Sequence, residues 1–167
     1  MNTNILNELS FYCSEKENQF FDRKSARIKP LDILKHLVAF SNAEGGQLVI
    51  GIEDDGMITG FNYKGAHSID EYRNIFLTEL KETPISSKFN ILDVKNNTGI
   101  DDKILVISVD VSTDRVIKSY NGKVFLWQND KSIELNFEQI LQLQYDRGQR
   151  YFEDEVVEDT SIEDIDF

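Results

Sequence analysis

Three carboxylates, Glu17, Asp22 and Asp54, stand out for what they could do together. Hard oxygen ligands of that kind suit Mg²⁺ or Mn²⁺, and an ion so held would polarise a phosphodiester and activate water. Beside them run the cations Arg23, Lys24, Arg27 and Lys29, with the Ser25 hydroxyl among them. Such a series is suited to phosphate. Farther along come Asn42 and Gly45-Gly46, whose amides can approach a nucleic-acid backbone because no Cβ intervenes. Each feature has a plainer reading. Glu17 and Asp22 also suit a solvated strand edge, Asp54 a turn, and the basic series a surface that keeps the chain in solution. Single-stranded ligands would want an exposed aromatic for stacking; Phe20 and Phe21 are the candidates, and strand alternation buries at least one of them.

Other chemistries find no support in the residue pattern. Phosphate-loop ATPases need a glycine-rich loop after a strand, ending in Gly-Lys-Ser or Gly-Lys-Thr. No such string exists, and Gly45-Gly46 precedes its strand, so it is neither that loop nor a dinucleotide fingerprint. His36 and His67 have no cysteine or second histidine at ligand spacing. Ser25 and Ser41 lack a visible base partner for a nucleophilic triad. A single cysteine, Cys13, gives no internal disulfide and no metal cluster.

The elements that must position these residues can be read from periodicity. Ile5, Leu6, Leu9 and Tyr12 would line a short helix, and Phe20 to Ala26 reads as a strand. Pro30 suits the first turn of a helix with Leu31, Leu34, Leu37 and Val38 at helical spacing and Phe40 and Ser41 one turn on. Gly45-Gly46 stops that helix, and Gln47 to Ile52 is a buried strand. Asp54-Asp55-Gly56 predicts a tight turn, with Met57 to Phe61 returning as a hairpin partner. Ser68 and Glu71 form a capping box for a helix whose apolar face is Ile69, Tyr72, Ile75, Phe76 and Leu80, bounded by Pro84. Lys88 to Val94 and Lys103 to Val111 read as strands. Asn121-Gly122 predicts a hairpin between Val116–Tyr120 and Lys123–Gln128, and Asn136 with Gln139 caps a last helix through Phe137, Ile140, Leu141 and Tyr145. The sum is an α+β fold: a mixed sheet built from two strand-helix-strand halves, closed by a C-terminal helix.

At 167 residues the chain suits one domain, and no apolar run approaches the roughly 18 residues of a membrane span. The lack of a signal-peptide pattern makes the expectation a cytoplasmic protein with no membrane partner. The net charge of −12 argues against indiscriminate binding to nucleic acid or anionic lipid. That charge is uneven, however. Eight acids follow Gly148 against Arg150 alone, whereas residues 16–36 hold six Lys or Arg against three acids. Positions 1–148 therefore read as the domain and 149–167 as an acidic linker or tail.

Three strings together resemble a known family: Glu17-x4-Asp22-Arg23-Lys24-Ser25, then Ala39-Phe40-Ser41-Asn42-Ala43-Glu44-Gly45-Gly46, then Gly51-Ile52-Glu53-Asp54-Asp55-Gly56 with Gly60. They are similar to the Schlafen AlbA-like DNA-binding domain, and specifically to a bacterial subgroup with Phe-Asp-Arg-Lys-Ser. Asp130 and Phe137-Glu138-Gln139…Tyr145-Asp146-Arg147-Gly148 extend the likeness over most of residues 15–150. The resemblance implies a nucleic-acid-binding module, for DNA or RNA, of a bacterial transcriptional regulator or ATP-binding protein. It also implies a homodimer and a C-terminal region beyond this chain, entered through Val156-Val157-Glu158-Asp159…Ile165. Arg23, Lys24 and Arg27 would contact phosphate, and Gly45-Gly46 would shape the site.

A second activity comes with the same resemblance. Animal Schlafens use three acids of the similar domain for metal-dependent RNA cleavage, and these fall on Glu17, Asp22 and Asp54, with Glu53 or Asp55 as other matches for the third. Mg²⁺ or Mn²⁺ would then be the cofactor. Asp22 departs from the family's usual glutamate, which shortens its reach by about 1.5 Å. A third class, a protein-interaction module, is favoured by the acidic charge.

Overall fold

The computed structural model describes residues 3–79 and 85–148. Its elements run α1 (Thr3–Ser14), β1 (Phe21–Lys24), α2 (Pro30–Asn42), β2 (Gly46–Ile50), α3 (Ile69–Glu79), β3 (Ser87–Lys95), β4 (Asp101–Val109), β5 (Phe125–Gln128), β6 (Lys131–Glu134) and α4 (Phe137–Asp146). Leu80, Pro84, the side chain of Ile5 and the acidic segment 149–167, all read from sequence above, lie outside the described residues.

The main sheet is mixed, in the order β1-β2-β4-β3, with β1 parallel to β2 and the other pairs antiparallel. Helix α2 makes the crossover between the parallel strands, so β1–α2–β2 is the first strand-helix-strand half. Pro30 opens α2, and its missing N–H is one the first turn leaves unpaired anyway. Leu34, Leu37, Val38 and Phe40 are fully buried on that helix and meet Leu48, Ile50, Leu105 and Ile107 of the sheet. The opposite sheet face carries Phe21, Val49, Val106 and Ile104 against Tyr12 and Leu9 of α1. Alternation along β1 therefore decides what each side chain can reach. Phe21 and Arg23 face α1, while Asp22 and Lys24 lie over Leu48 and Ile50 on the α2 side.

Both capping boxes form. Ser68 Oγ accepts from the Glu71 amide at 3.2 Å while Glu71 Oε2 accepts from the Ser68 amide at 2.6 Å. Asn136 and Gln139 exchange the same pair of bonds at 2.9 and 2.8 Å.

Two hairpins differ from the expectation. Residues 116–120 and 123–128 do not form a ladder; Ser119 N–H donates to Lys123 O at 2.8 Å and Gly122 N–H to Ser119 O at 2.9 Å, which leaves a short turn at Asn121-Gly122. The paired hairpin is β5–β6, turning at Asn129, whose φ of 61° is the left-handed conformation asparagine tolerates. The reason lies in Asn42. Its side chain takes both the amide and the carbonyl of Ile117, the bonds a neighbouring strand would have supplied. Likewise Met57 to Phe61 returns along the segment after β2 without forming a strand: Ile58 bridges Ile52 and the Glu53 amide donates to Met57 O at 2.9 Å. The Thr59 and Gly60 amides both turn back onto the Gly51 carbonyl, at 3.1 and 2.9 Å. A second half with a full opening strand is thereby reduced to α3 and the β3–β4 hairpin.

Candidate nucleic-acid interface

Glu17 and Asp22 come together at the free edge of β1. Asp22 is 1% exposed, because the strand turns it toward α2. Burial first, then the Glu17 carboxylate, pushes its carboxyl up to about 8, against the pull of Lys24. Burial opposes the charge on Glu17 too, but its hydrogen bond with Asp22, the Arg23 amide at 3.4 Å and the Lys24 and Arg23 charges hold its carboxyl below its usual value. As two carboxylates, the Asp22 oxygens would have no well-formed hydrogen bond, only the Lys24 ammonium at 3.5 Å; with Asp22 protonated the pair shares one proton. Lys24 Nζ stands 3.5 Å from Asp22 Oδ2 with its side chain 30% exposed, reaching out of the same face.

Asp54 is not part of this pair. It is exposed in the turn after β2, and among the described residues no three His, Cys, Asp or Glu side chains are placed to hold a metal ion. Asp55 caps the same turn by accepting from the Met57 amide at 2.9 Å. Glu53 faces back instead, accepting from Thr59 Oγ1 at 2.5 Å and pairing with Arg27 Nη1 at 3.4 Å. Glu17 and Asp22 thus offer two hard oxygen donors with a lysine beside them. That fits an ion completed by water and a substrate phosphate, not a preformed protein cage.

The basic series divides by function. Arg23 does not reach a ligand: it is 6% exposed and donates to the carbonyls of Tyr12 and Glu15, at 2.7 and 2.5 Å, closing the end of α1 against the sheet. Period-two alternation carries it to the face away from Lys24, a sequence signal the run of charges conceals. Arg27 and Lys29 are exposed. The Arg27 guanidinium lies 4.6 Å from the centre of the Tyr63 ring and reaches Ser25 Oγ at 3.3 Å, while Ser25 Oγ meets Tyr63 Oη at 3.2 Å. Tyr63, Thr59 and Glu53 brace the arginine, and none was singled out for this from sequence. They sit in an irregular segment with no periodicity to mark them.

Asn42, Gly45 and Gly46 serve the fold. Asn42 is 1% exposed and also donates to the Phe125 carbonyl at 2.9 Å, so its amide has no bond left for phosphate. The Gly45 amide donates to Phe40 O at 2.8 Å, and Gly46 lies in the ladder opposite Val109. A Cβ on Gly45 would meet Val109 O at 2.7 Å, and one on Gly46 would enter the Phe40 ring. The pair lets helix, β4 and β1 close up, and its amides are spent on Phe40 O and the strand ladder.

His36 and Ser132 join the picture from α2 and β6. His36 Nδ1 and Ser132 Oγ are 2.7 Å apart. Burial first, then the charges of Lys24 and Lys35, holds the imidazole down to about 3. Concavities exist elsewhere; one of about 400 Å³ is lined by Asp93–Lys95 and Asp101–Lys103, away from the acid pair.

The Schlafen, AlbA_2 family model matches residues 17–136, which spans every residue of this edge. The fold is similar to the crystal structure of the DIP2311 protein from Corynebacterium diphtheriae, with a TM-score of 0.55 and 15% identity over 87% of this chain. This chain spans 32% of that one. No curated protein matches the sequence.

Proposed function

The chain belongs to the Schlafen, AlbA_2 family, and from that premise we propose that it is a cytoplasmic nucleic-acid-binding module whose phosphate contacts are Lys24, Arg27 and Lys29. The observation that carries this is their presentation. Lys24 and Arg27 stand partly in solvent at and just past the end of the edge strand, and Arg27 is held by Tyr63, Ser25 and Glu53 before any ligand arrives. Asp22, with its carboxyl raised to about 8, is largely uncharged at neutral pH, so the acid nearest Lys24 repels phosphate less than its formal charge suggests. The finer assignment, DNA and a homodimeric transcriptional regulator with a further C-terminal domain, is supported by the Phe21-Asp22-Arg23-Lys24-Ser25 and Phe137-Glu138-Gln139 strings. The test is affinity for labelled DNA and RNA against salt concentration, where absent or salt-independent binding would sink it.

A second reading, a metal-dependent endoribonuclease, is favoured by one observation. Asp22 is a nearly inaccessible acid whose charge, when ionised, is met by Lys24 alone at a long 3.5 Å, and Glu17 is its partner. Mg²⁺ or Mn²⁺ between them would polarise a phosphodiester and activate water. Here Glu17 and Asp22 would hold the ion and Lys24 would bind the phosphate. RNA cleavage retained by the Glu17→Ala, Asp22→Ala double variant excludes it.

A further inference from the structure

Phe20 is 55% exposed, next to a Phe21 that is 2% exposed. A lone exposed aromatic is ordinary; the turn that carries this one is not loose. The Phe20 amide donates to Asn18 Oδ1 at 2.8 Å, and its carbonyl accepts from the Gln47 amide at 2.9 Å. Trp127 Nε1 donates to the Asn18 carbonyl at 2.8 Å. Gln19 spans the gap to the β5–β6 hairpin, donating to Trp127 O at 3.1 Å and accepting from the Asn129 amide at 2.9 Å. The backbone under the ring is therefore fixed before any ligand binds, which lowers the ordering cost of contact.

Cations from two elements gather near the same edge. The His36–Ser132 bond ties α2 to β6. Lys35, exposed, precedes His36 on α2. Lys24 and Lys35 are close enough to act on His36, which records their positive field.

We propose that this edge takes single-stranded nucleic acid in preference to duplex, with a base stacked on Phe20 and phosphates on Lys24 and Lys35. The inference rests on the nucleic-acid reading above and narrows its ligand. Bases inside a duplex have both faces covered by their neighbours, so a fixed surface ring finds nothing to stack on; a splayed single strand offers a free face at every base. At about 3.3 Å per strand residue, Phe20 and Lys24 are on the order of 10 Å apart, a separation a flexible strand can bridge.

The experiment measures binding of a labelled oligothymidylate about 12 nucleotides long, and of the same strand in duplex with oligoadenylate, to the intact chain. The wild-type protein binds the single strand more tightly. Phe20→Ala weakens single-strand binding about tenfold and duplex binding less than twofold, Phe20→Tyr restores it, and unchanged circular dichroism shows that both variants fold. Lys35→Ala lowers the single-strand salt slope by about 0.7. Duplex preference, or a Phe20→Ala variant that binds like wild type or loses both ligands equally, overturns this inference and leaves the phosphate contacts of Lys24, Arg27 and Lys29 standing. Binding to neither ligand overturns both.

Discussion

Lys24 Nζ lies 3.5 Å from Asp22 Oδ2 on one face of an edge strand, while Arg23 between them turns to the other face and holds α1. Adjacent cations in one charged run thus have separate tasks. Arg23→Ala should cost about 2–4 kcal/mol of stability, since it strips buried carbonyls of their donor and loosens helix α1. Lys24→Ala should change stability by less than about 1 kcal/mol and lower nucleic-acid affinity instead. Denaturant titration and binding measured on the same two variants separate the roles; the reverse pattern would contradict the assignment.

Asp22 and His36 should tilt stability against pH in opposite directions. Asp22 is raised in the folded chain from 3.8 to about 8, so its protonated form contributes stability that is fully present below 3.8 and is lost progressively as pH rises to about 8. His36 is lowered from 6.5 to about 3, so it contributes stability above 6.5 that is lost as pH falls toward 3. Asp22→Asn should remove the decline between 3.8 and about 8, so that stability relative to wild type improves across that window and stays level above it. His36→Gln should remove the loss between 6.5 and about 3 and leave the profile above 6.5 unchanged. Melting temperatures across pH would show otherwise if either variant kept the wild-type profile.

Asn42→Ala should cost about 3 kcal/mol or more, because it leaves the Ile117 amide and two carbonyls without their partner. Asn42→Asp should also destabilise, since the Nδ2 donor to Ile117 and Phe125 is lost and a charge is buried. Chemical denaturation reads the loss. A variant as stable as wild type would show that Asn42 does not hold the 117 segment.

Gly46→Ala should destabilise by about 2–3 kcal/mol by overpacking against Phe40, and Phe40→Leu in the same chain should recover part of that loss. Additive losses in the double variant would place the strain elsewhere.

Much of this was legible in the sequence, and the exceptions share a cause. Helix α2, the double-glycine stop, strand β2 and both capping boxes follow from local pattern, and local pattern is what one chain displays. Asn121-Gly122 carries the stronger local hairpin signal, but Asn42, far off in sequence, has already taken the bonds of Ile117, so the ladder forms at Asn129. The site divides the same way. Glu17, Asp22, Lys24 and Arg27 are visible as a charged run, whereas His36, Ser132 and Tyr63 reach it through contacts between 36 and 96 residues long. Asp54 was expected beside Glu17 and Asp22 because three acids suit one ion; the turn it occupies holds it in solvent instead.

The most direct measurement is the salt dependence of nucleic-acid affinity for the wild-type chain and the Lys24→Ala, Arg27→Ala, Lys29→Ala triple variant. The account predicts a linear fall of log affinity with log salt in the wild type. In the triple variant that slope should shrink by about 2–3, at an unchanged melting temperature. A wild-type affinity indifferent to salt, or a triple variant with the wild-type slope, would contradict it.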